Sequence, residues 1–223
     1  MNSKVHTIIF DLDGTLSDSA LLTIEAFKHI SPDHGLPIPS IEAIRRATGH
    51  AVPEFYYILF PDRDPEIVVY VGLLVEQEEL RLLPSLGNRL LFKGCQELLI
   101  RLKEYGIRLC IASTGAKDHV LSILDATGIK PFFETVFYGC PDKTEMLREI
   151  IGDSDKNGCV MVGDMKKDYD AARANGIVSV GACYGYCIKE SSDFDSYVSN
   201  PLDLLEVLNI SNKKPPLSDR FLN

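Results

Sequence analysis

From residue 92 onward the sequence alternates short apolar runs with amphipathic segments, and this alternation restricts the fold more than any other feature. The runs "IRLCIAS", "FETVFYG", "CVMVGD" and "IVSVG" are each preceded by a segment with helical spacing of its apolar residues, such as "CQELLIRLKEYG". Continuous apolar strands joined by helices are typical of a parallel sheet covered on both faces. The pattern therefore predicts an α/β fold with a Rossmann-like, doubly wound parallel sheet as its core.

An additional strand is predicted near the N-terminus, and a different kind of sequence follows it. Residues 5–10 form a mostly apolar run, and the next segment, "SDSALLTIEAFKHI", has helical spacing. Residues 31–90 contain short helical patterns and no predicted strand. These patterns are separated by prolines at positions 32, 37, 39, 53, 61, 65 and 84.

The two kinds of sequence indicate how the chain is divided. A length of 223 residues is enough for one large domain or for a main domain with a smaller one. We predict an α/β core formed by residues 1–17 and 91–223. Residues 18–90 are predicted to form an inserted helical unit.

Charge and composition argue against several classes of function. The formal net charge is −9 and the basic residues form no stripe, which disfavours a nucleic-acid polymer as partner. No stretch approaches the roughly 20 consecutive apolar residues of a membrane span, and no signal-peptide pattern is present. There is no C-x-x-C pair, so Cys183 and Cys187 are expected to pack rather than to react. We expect a cytoplasmic protein without a membrane partner.

Polar residues lie where the predicted strands end. Because ligands of open parallel sheets bind at the carboxyl ends of the strands, these residues are expected to line one binding site at that edge of the sheet. Lys143 precedes a helix that follows another predicted strand. The strand-end residues are Asp11 and Asp13 after the first strand, Ser113 and Thr114 after "IRLCIA", and Asp164 after "CVMVG".

The segment "FDLDGT" places two carboxylates one residue apart at the end of a buried strand. Asp11 and Asp13 repel each other there unless a positive group is near, and Mg²⁺ favours carboxylate oxygens together with substrate phosphate. Asp11 is suited to form an aspartyl-phosphate, and Asp13 to give and take a proton. Thr15 offers a hydroxyl and an amide to the phosphate. The alternative is that both aspartates only form the turn before Gly14.

The segment "VGDMKKD" supplies further acids. Asp164 is predicted to bind the metal, and Asp168 to support it or simply to cap the helix that begins there. Lys166 and Lys167 are interpreted as a solvated pair.

Two further groups are assigned to the phosphoryl site. The hydroxyl of Ser113 ends the second buried strand, where a phosphoryl oxygen would lie, and Thr114 follows it as a second candidate. Lys143 is a surface lysine by default. Among these acids and hydroxyls, however, it is predicted to neutralise the nucleophile and the phosphate oxygens.

In this order, DLDGT, the serine at the end of "IRLCIAS", Lys143 and GDMKKD resemble the four motifs of the haloacid dehalogenase-like phosphohydrolase superfamily. The resemblance covers most of the chain. The helical insertion is similar to the cap of the phosphoglycolate phosphatase and β-phosphoglucomutase branch. The true dehalogenases lack the second aspartate, so dehalogenation is not expected here.

The resemblance implies a role for each acid. Asp11 would be the nucleophile and Asp13 the general acid and base. Mg²⁺ would be bound by the Asp11 carboxylate, the backbone carbonyl of Asp13 and Asp164, with Asp168 in support.

The resemblance also implies how a substrate is bound. Ser113 and Lys143 would bind the phosphoryl group. The segment "RRATGHAVPEFYYILF" resembles the substrate loop of phosphoglycolate phosphatases, and from it Arg46 and His50 are predicted to contact the substrate. Arg45 is a further candidate.

The sequence thus predicts a Mg²⁺-dependent phosphatase that acts on a small phosphorylated metabolite through an aspartyl-phosphate. Phosphoglycolate is the first candidate substrate. The alternatives are a phosphomutase similar to β-phosphoglucomutase, a pyrophosphatase and a 5′-nucleotidase. A non-enzymatic phospho-receiver and a binding-only relative are alternatives from another class. The oligomeric state is left as monomer or homodimer.

Overall fold

The computed structural model describes residues 4–50, 52–140, 142–186 and 193–210. Cys187, for which a packing role is predicted, lies outside these ranges. Within them the chain forms a parallel sheet with helices on both faces, which confirms the predicted fold class. No helix in the described part of the chain is both long and apolar enough to span a membrane.

One parallel sheet organises the core. Its strand order is β3-β2-β1-β4-β5-β6, so β1 lies between β2 and β4. Phe10 at the end of β1 is in register with Ile111 and Val162, and this register aligns the carboxyl ends of three strands. The strands found in the described residues are β1 (Thr7–Phe10), β2 (Arg108–Ala112), β3 (Thr135–Phe137), β4 (Cys159–Gly163), β5 (Val178–Ala182) and β6 (Ser196–Val198).

The insertion between β1 and β2 contains a small helical bundle with its own apolar cluster. Phe27 lies at its centre, in edge-to-face contact with the rings of Tyr56 and Phe60. Val71 and Val75 complete this cluster from the longest helix. The helices are α1 (Ser19–His34), α2 (Ile41–Ala47), α3 (Glu54–Leu59) and α4 (Pro65–Leu86). We refer to α1–α4 and their connections as the cap.

The core helices cover both faces of the sheet. Ile8 and Phe10 contribute to a cluster with the apolar residues of α5, α6 and α9, whereas Ile9 contributes to a cluster with those of α7 and α8. Alternation of side chains along β1 therefore supplies both sides of the core. These helices are α5 (Cys95–Glu104), α6 (Lys117–Ala126), α7 (Lys143–Ile151), α8 (Lys166–Asn175) and α9 (Asp203–Val207).

The two segments that join the cap to the core run side by side. The amide of Asp18 donates to the carbonyl of Leu90 at 2.7 Å, and the amide of Phe92 donates to the carbonyl of Leu16 at 3.0 Å. Ser17 and Leu91 form an antiparallel bridge between these bonds. The predicted domain boundaries fall on this pair of segments and stay a prediction.

The structure differs from the predicted elements in two respects. Pro32 and Pro84 lie inside α1 and α4 rather than between helices. Each occurs within the last turn, where the lost amide bond interrupts little of the helix. The strand β6 and the helix α9 were not predicted, because a three-residue strand and a five-residue helix are too short to show a period.

Candidate active site

The carboxyl ends of β1, β2 and β4 bring the predicted site residues together. Asp11 directly follows β1, and its amide donates to the carbonyl of Val162 on β4 at 2.9 Å. Asp164 follows β4, and Ser113 follows β2. The parallel register of the three strands is therefore what places these residues at one edge of the sheet.

Three buried carboxylates form a cluster at this edge. Asp11, Asp164 and Asp168 each offer an oxygen, and these oxygens all lie within 4.8 Å of one another. Their residues are 5 %, 2 % and 0 % exposed, so the cluster is almost closed to water. Burial raises the pKa of Asp11 to about 6, although the Lys143 ammonium opposes this rise. Burial, together with the charges of Asp11 and Asp168, also raises the pKa of Asp164.

Lys143 lies within this acid cluster. Its Nζ is 2.7 Å from Oδ1 of Asp11 and 2.6 Å from Oδ1 of Asp168, and its side chain is 1 % exposed. Burial alone would lower the pKa of Lys143, but the two carboxylates outweigh burial and raise it. Lys143 is the first residue of α7, and the Asp142 side chain caps that helix by accepting from the amide of Thr144 at 2.8 Å.

The acid cluster fits a divalent cation. Three carboxylates against one ammonium leave two negative charges when all groups are ionised. Oδ2 of Asp164 is buried and has no hydrogen-bond partner among the described residues, which leaves an oxygen free for a cation. Gly14 adjoins this oxygen with a φ of +81°, and a Cβ at that position would collide with it. These residues therefore match the oxygen donors that Mg²⁺ prefers.

Thr15 and Asp168 hold the cluster in place. The Thr15 hydroxyl donates to Oδ1 of Asp164 at 2.9 Å and thus orients that carboxylate, whereas the sequence predicted a contact with substrate. The reason is that Thr15 directly follows Gly14, which adjoins the Asp164 carboxylate. Asp168 accepts from the amide of Met165 at 3.0 Å, so it caps α8 and binds Lys143 at the same time.

Asp13 is not among the three clustered carboxylates, and it has a partner that the sequence did not predict. Its Oδ1 lies 3.0 Å from Nε2 of His119 in the first turn of α6. Burial raises the pKa of Asp13, but the charge and hydrogen bond of His119, the hydrogen bond of Ser19 and the charge of Lys143 together lower it below its ordinary value. Burial lowers the pKa of His119, but Asp13, with Glu79 and Glu76 of the cap, raises it to about 9.

The predicted hydroxyl ligands lie at the end of β2. The Ser113 hydroxyl is buried and accepts a hydrogen bond from the amide of Gly115 at 3.1 Å, which forms the turn that leads into α6. Thr114 lies beside it, and its Oγ1 is 3.2 Å from Nζ of Lys167. Both residues thus lie at the end of β2, the strand that pairs with β1, and their role as phosphoryl ligands stays a prediction.

Lys167 differs from the solvated side chain that the sequence predicted. Lys166 is exposed and pairs with Asp170 at 2.6 Å, as expected. Lys167 is half-buried, and its ammonium donates to the carbonyl of Gly49 in the cap as well as to Thr114. Adjacent helix residues point about 100° apart, so one lysine faces solvent while the other faces the cap.

The predicted cap ligands, Arg46 and His50, are exposed and have local partners in this structure, and their contact with a substrate stays a prediction. Arg46 is exposed, and its Nε donates to the carbonyl of Glu42 at 3.3 Å within α2. His50 is exposed and lies 3.6 Å from the carboxylate of Glu54. In both cases the polar partner lies four residues away along the chain.

Arg45 joins the cap to the core instead of pointing to solvent. Its guanidinium donates to Oδ2 of Asp18 at 2.8 Å and lies 5.5 Å from the ring centre of Tyr186. The Tyr186 hydroxyl donates to Oδ1 of the same aspartate at 2.7 Å. Asp18 therefore accepts two side-chain hydrogen bonds, and its side chain does not cap α1.

A buried acid in the cap also lies close to the site. Glu79 on α4 is 8 % exposed and accepts from the Thr23 hydroxyl at 2.6 Å. Burial raises the pKa of Glu79 to about 7, while the charge of His119 opposes the rise. The sequence did not single out this residue, since a glutamate in an amphipathic helix is usually solvated.

Comparison with known proteins agrees with this architecture. A profile of haloacid dehalogenase-like hydrolases matches residues 8–182, which is more than half of the chain. The match includes the strands β1 to β5 and every residue of the acid cluster.

Curated relatives carry several different names. Pyrophosphatase PpaX of Bacillus pumilus is 30 % identical over 82 % of this chain and 85 % of its own length. A phosphoglycolate phosphatase of Synechococcus elongatus is 27 % identical over 92 % of this chain and 97 % of its own. Tyrosine-protein kinase PtkA of Mycobacterium tuberculosis is 30 % identical over 80 % of this chain, but the matched part spans only 62 % of PtkA.

A solved structure with the same fold covers both the core and the cap. It is described as a predicted phosphoglycolate phosphatase from Haemophilus somnus. It superimposes with a TM-score of 0.80 over 93 % of this chain and 99 % of its own, at 21 % identity. At that identity the likeness establishes the fold alone.

Proposed function

The chain belongs to the haloacid dehalogenase-like hydrolase family, and from that premise we propose that it is a Mg²⁺-dependent phosphatase of a small phosphorylated metabolite. One observation carries the proposal. Asp11 lies in the acid cluster beside Lys143, while Asp13, two residues on, is bonded to an imidazole outside that cluster. The two aspartates thus have separate environments, which suits them to separate roles.

In the first step Asp11 acts as the nucleophile. One carboxylate oxygen attacks phosphorus, an aspartyl-phosphate forms, and the bond between phosphorus and the leaving oxygen breaks. The Lys143 ammonium, 2.7 Å from Asp11, offsets the charge that collects on the phosphoryl oxygens. The buried Ser113 hydroxyl donates to one of those oxygens.

Asp13 moves the proton in both steps. It gives a proton to the leaving oxygen, and the His119 imidazolium at 3.0 Å is the proton reservoir that supplies it. Water then attacks phosphorus, its proton passes to Asp13 and from there back to His119, and the bond between phosphorus and Asp11 breaks. The sum is hydrolysis of one phosphate ester to an alcohol and phosphate.

The acid cluster would hold the metal ion. Asp11, Asp164 and Asp168 supply carboxylates and Asp13 its backbone carbonyl, and the unpartnered oxygen of Asp164 supports this set. When bound, Mg²⁺ neutralises the cluster and polarises the phosphoryl group. The Thr15 hydroxyl keeps Asp164 oriented for this role.

Phosphoglycolate is the leading substrate in our proposal, and pyrophosphate is the second candidate. Support for the first comes from a relative named phosphoglycolate phosphatase that matches nearly its whole length, and for the second from PpaX. A phosphomutase and a 5′-nucleotidase remain alternatives. We place the reaction in the cytoplasm, with a monomer or homodimer as the active form.

An activity screen tests the proposal. Purified protein is assayed for phosphate release from phosphoglycolate, pyrophosphate, adenosine monophosphate and para-nitrophenyl phosphate, with Mg²⁺ or with excess chelator. We expect Mg²⁺-dependent turnover of at least one small anionic ester, and restoration by Mg²⁺ after chelation. Full turnover in chelator would exclude the metal role, and no turnover of any compound would exclude the phosphatase.

A further inference from the structure

Lys167 reaches from the acid-bearing loop of the core to the cap. It lies in the first turn of α8, one residue before Asp168, yet its ammonium contacts the carbonyl of Gly49 and the hydroxyl of Thr114. Gly49 has a φ of +94°, and a Cβ there would collide with Met165 and come within 3.1 Å of the Lys167 ammonium. The cap loop therefore rests directly on this part of the core.

Both hydrogen-bond partners of Lys167 are neutral. In the described part of the chain no carboxylate forms an ion pair with Lys167, whereas Lys143 has two such partners and Lys166 has Asp170. Because a charge-assisted hydrogen bond to an anion is stronger than a bond to a neutral acceptor, a half-buried ammonium with two neutral partners favours exchange of those partners for an anionic group.

The location of Lys167 indicates that such an anion belongs to the substrate. Thr114, its hydroxyl partner at 3.2 Å, directly follows Ser113, the proposed phosphoryl ligand. Lys143 already serves the phosphoryl group and the nucleophile. Lys167 lies between the proposed phosphoryl site and the cap, since it contacts both Thr114 and Gly49. The part of the substrate beyond the phosphoryl group must extend in this direction.

We propose that Lys167 determines substrate specificity by binding a second anionic group of the substrate, a carboxylate or a second phosphoryl group. The anion takes up hydrogen bonds that Gly49 and Thr114 accept in this structure. A core residue then performs the selection that the sequence assigned to Arg46 and His50. This inference rests on the proposed phosphatase function and specifies its substrate class.

A matched pair of substrates tests the proposal. Phosphoglycolate and 2-hydroxyethyl phosphate differ only in a carboxylate replaced by a hydroxymethyl group, and pyrophosphate serves as the diphosphate arm. We expect Lys167→Met to reduce the ratio of kcat/KM for phosphoglycolate over 2-hydroxyethyl phosphate by about 10- to 100-fold, the scale of one lost charged hydrogen bond. The loss should lie mainly in KM, as for uniform binding. A loss confined to pyrophosphate would identify the second phosphoryl group as the anion.

Two variants and one binding measurement complete the design. Lys167→Arg retains the charge and should keep most of the ratio, and Lys166→Met, on the exposed neighbour, should leave it unchanged. Calorimetric binding of both esters with Mg²⁺ to Asp11→Asn, with and without Lys167→Met, should show the same selective loss without turnover. Equal losses for all three substrates overturn the role of Lys167 while the phosphatase stands. Wild-type protein that hydrolyses adenosine monophosphate or para-nitrophenyl phosphate but none of these three overturns only the role of Lys167, and wild-type protein that hydrolyses none of the five compounds overturns both proposals.

Discussion

The acid cluster of the core and the loop after α2 in the cap were both predicted to face a substrate. Their residues differ in burial and in the contacts that they make. In the core, Asp11, Asp164 and Lys143 are buried and in contact, since parallel strands in register end at one edge. In the cap, Arg46 is exposed and hydrogen-bonded within α2, and His50 is exposed near Glu54. Strand-end position is thus a strong guide to a shared site, whereas proximity in a loop is a weak one.

The largest effect is expected from the nucleophile and would test the core side of this comparison. Asp11→Asn should lower kcat by at least about 10⁴-fold, the scale on which enzymes lose activity with their nucleophile. No phosphoenzyme should be trapped by rapid acid quench with a labelled substrate. A labelled protein band in this variant would show that another residue is attacked, and the role of the acid cluster would have to be reassigned.

Asp13→Asn should have the next largest effect. Loss of the positioned proton donor is expected to lower kcat by about 10²- to 10⁴-fold with an ester that has a poor leaving group. The loss should be smaller with para-nitrophenyl phosphate, whose leaving group needs no proton. Equal losses with both compounds, measured as initial rates, would mean that Asp13 has a structural role instead.

Glu79 offers a test of the cap through stability. Its folded pKa of about 7 lies above the ordinary 4.5, so the folded state binds the extra proton and stability falls as pH rises from about 4.5 to 7. Glu79→Gln should remove this loss and stabilise the protein by about 1–3 kcal/mol at pH 8, but by little near pH 5. His119, Glu76 and Asp13 also act on this carboxyl.

The Glu79 prediction is checked by urea unfolding at both pH values. Glu42→Gln, on an exposed position of α2, is the matched control and should change stability by less than about 0.5 kcal/mol at either pH. A difference between Glu79→Gln and wild type that does not change with pH would refute the raised pKa.

The smallest effect is expected from a pair of adjacent arginines in the cap. Arg45→Ala removes a 2.8 Å bond to Asp18 and the contact with Tyr186, and should cost about 1–2 kcal/mol of unfolding free energy. Arg46→Ala should cost less than about 0.5 kcal/mol, since its bond is exposed and local. Equal losses of unfolding free energy for the two variants, measured by thermal or urea unfolding, would show that Arg45 stabilises the protein no more than Arg46 does.

Several residues show which parts of the fold and site could be predicted from the sequence. The positions of Asp11, Ser113 and Asp164 follow from strand ends alone, and so does the doubly wound sheet. His119 was missed although a signal existed: it lies in the first turn of a helix that starts at the same edge. Lys167 offered no such signal, because its environment depends on where the cap loop rests on the core.

The paired connecting segments have a consequence for how such a protein changes over evolutionary time. Because Ser17 and Leu91 are bridged, residues 18–90 leave the core and return to it at adjacent points. The two ends of the insertion meet, so it is connected to the sheet as a closed loop. Doubling the length of such a loop would cost only about 0.6 kcal/mol in chain entropy. The cap can therefore be lengthened or exchanged as a unit, while the carboxylates of the acid cluster keep their places in the sheet.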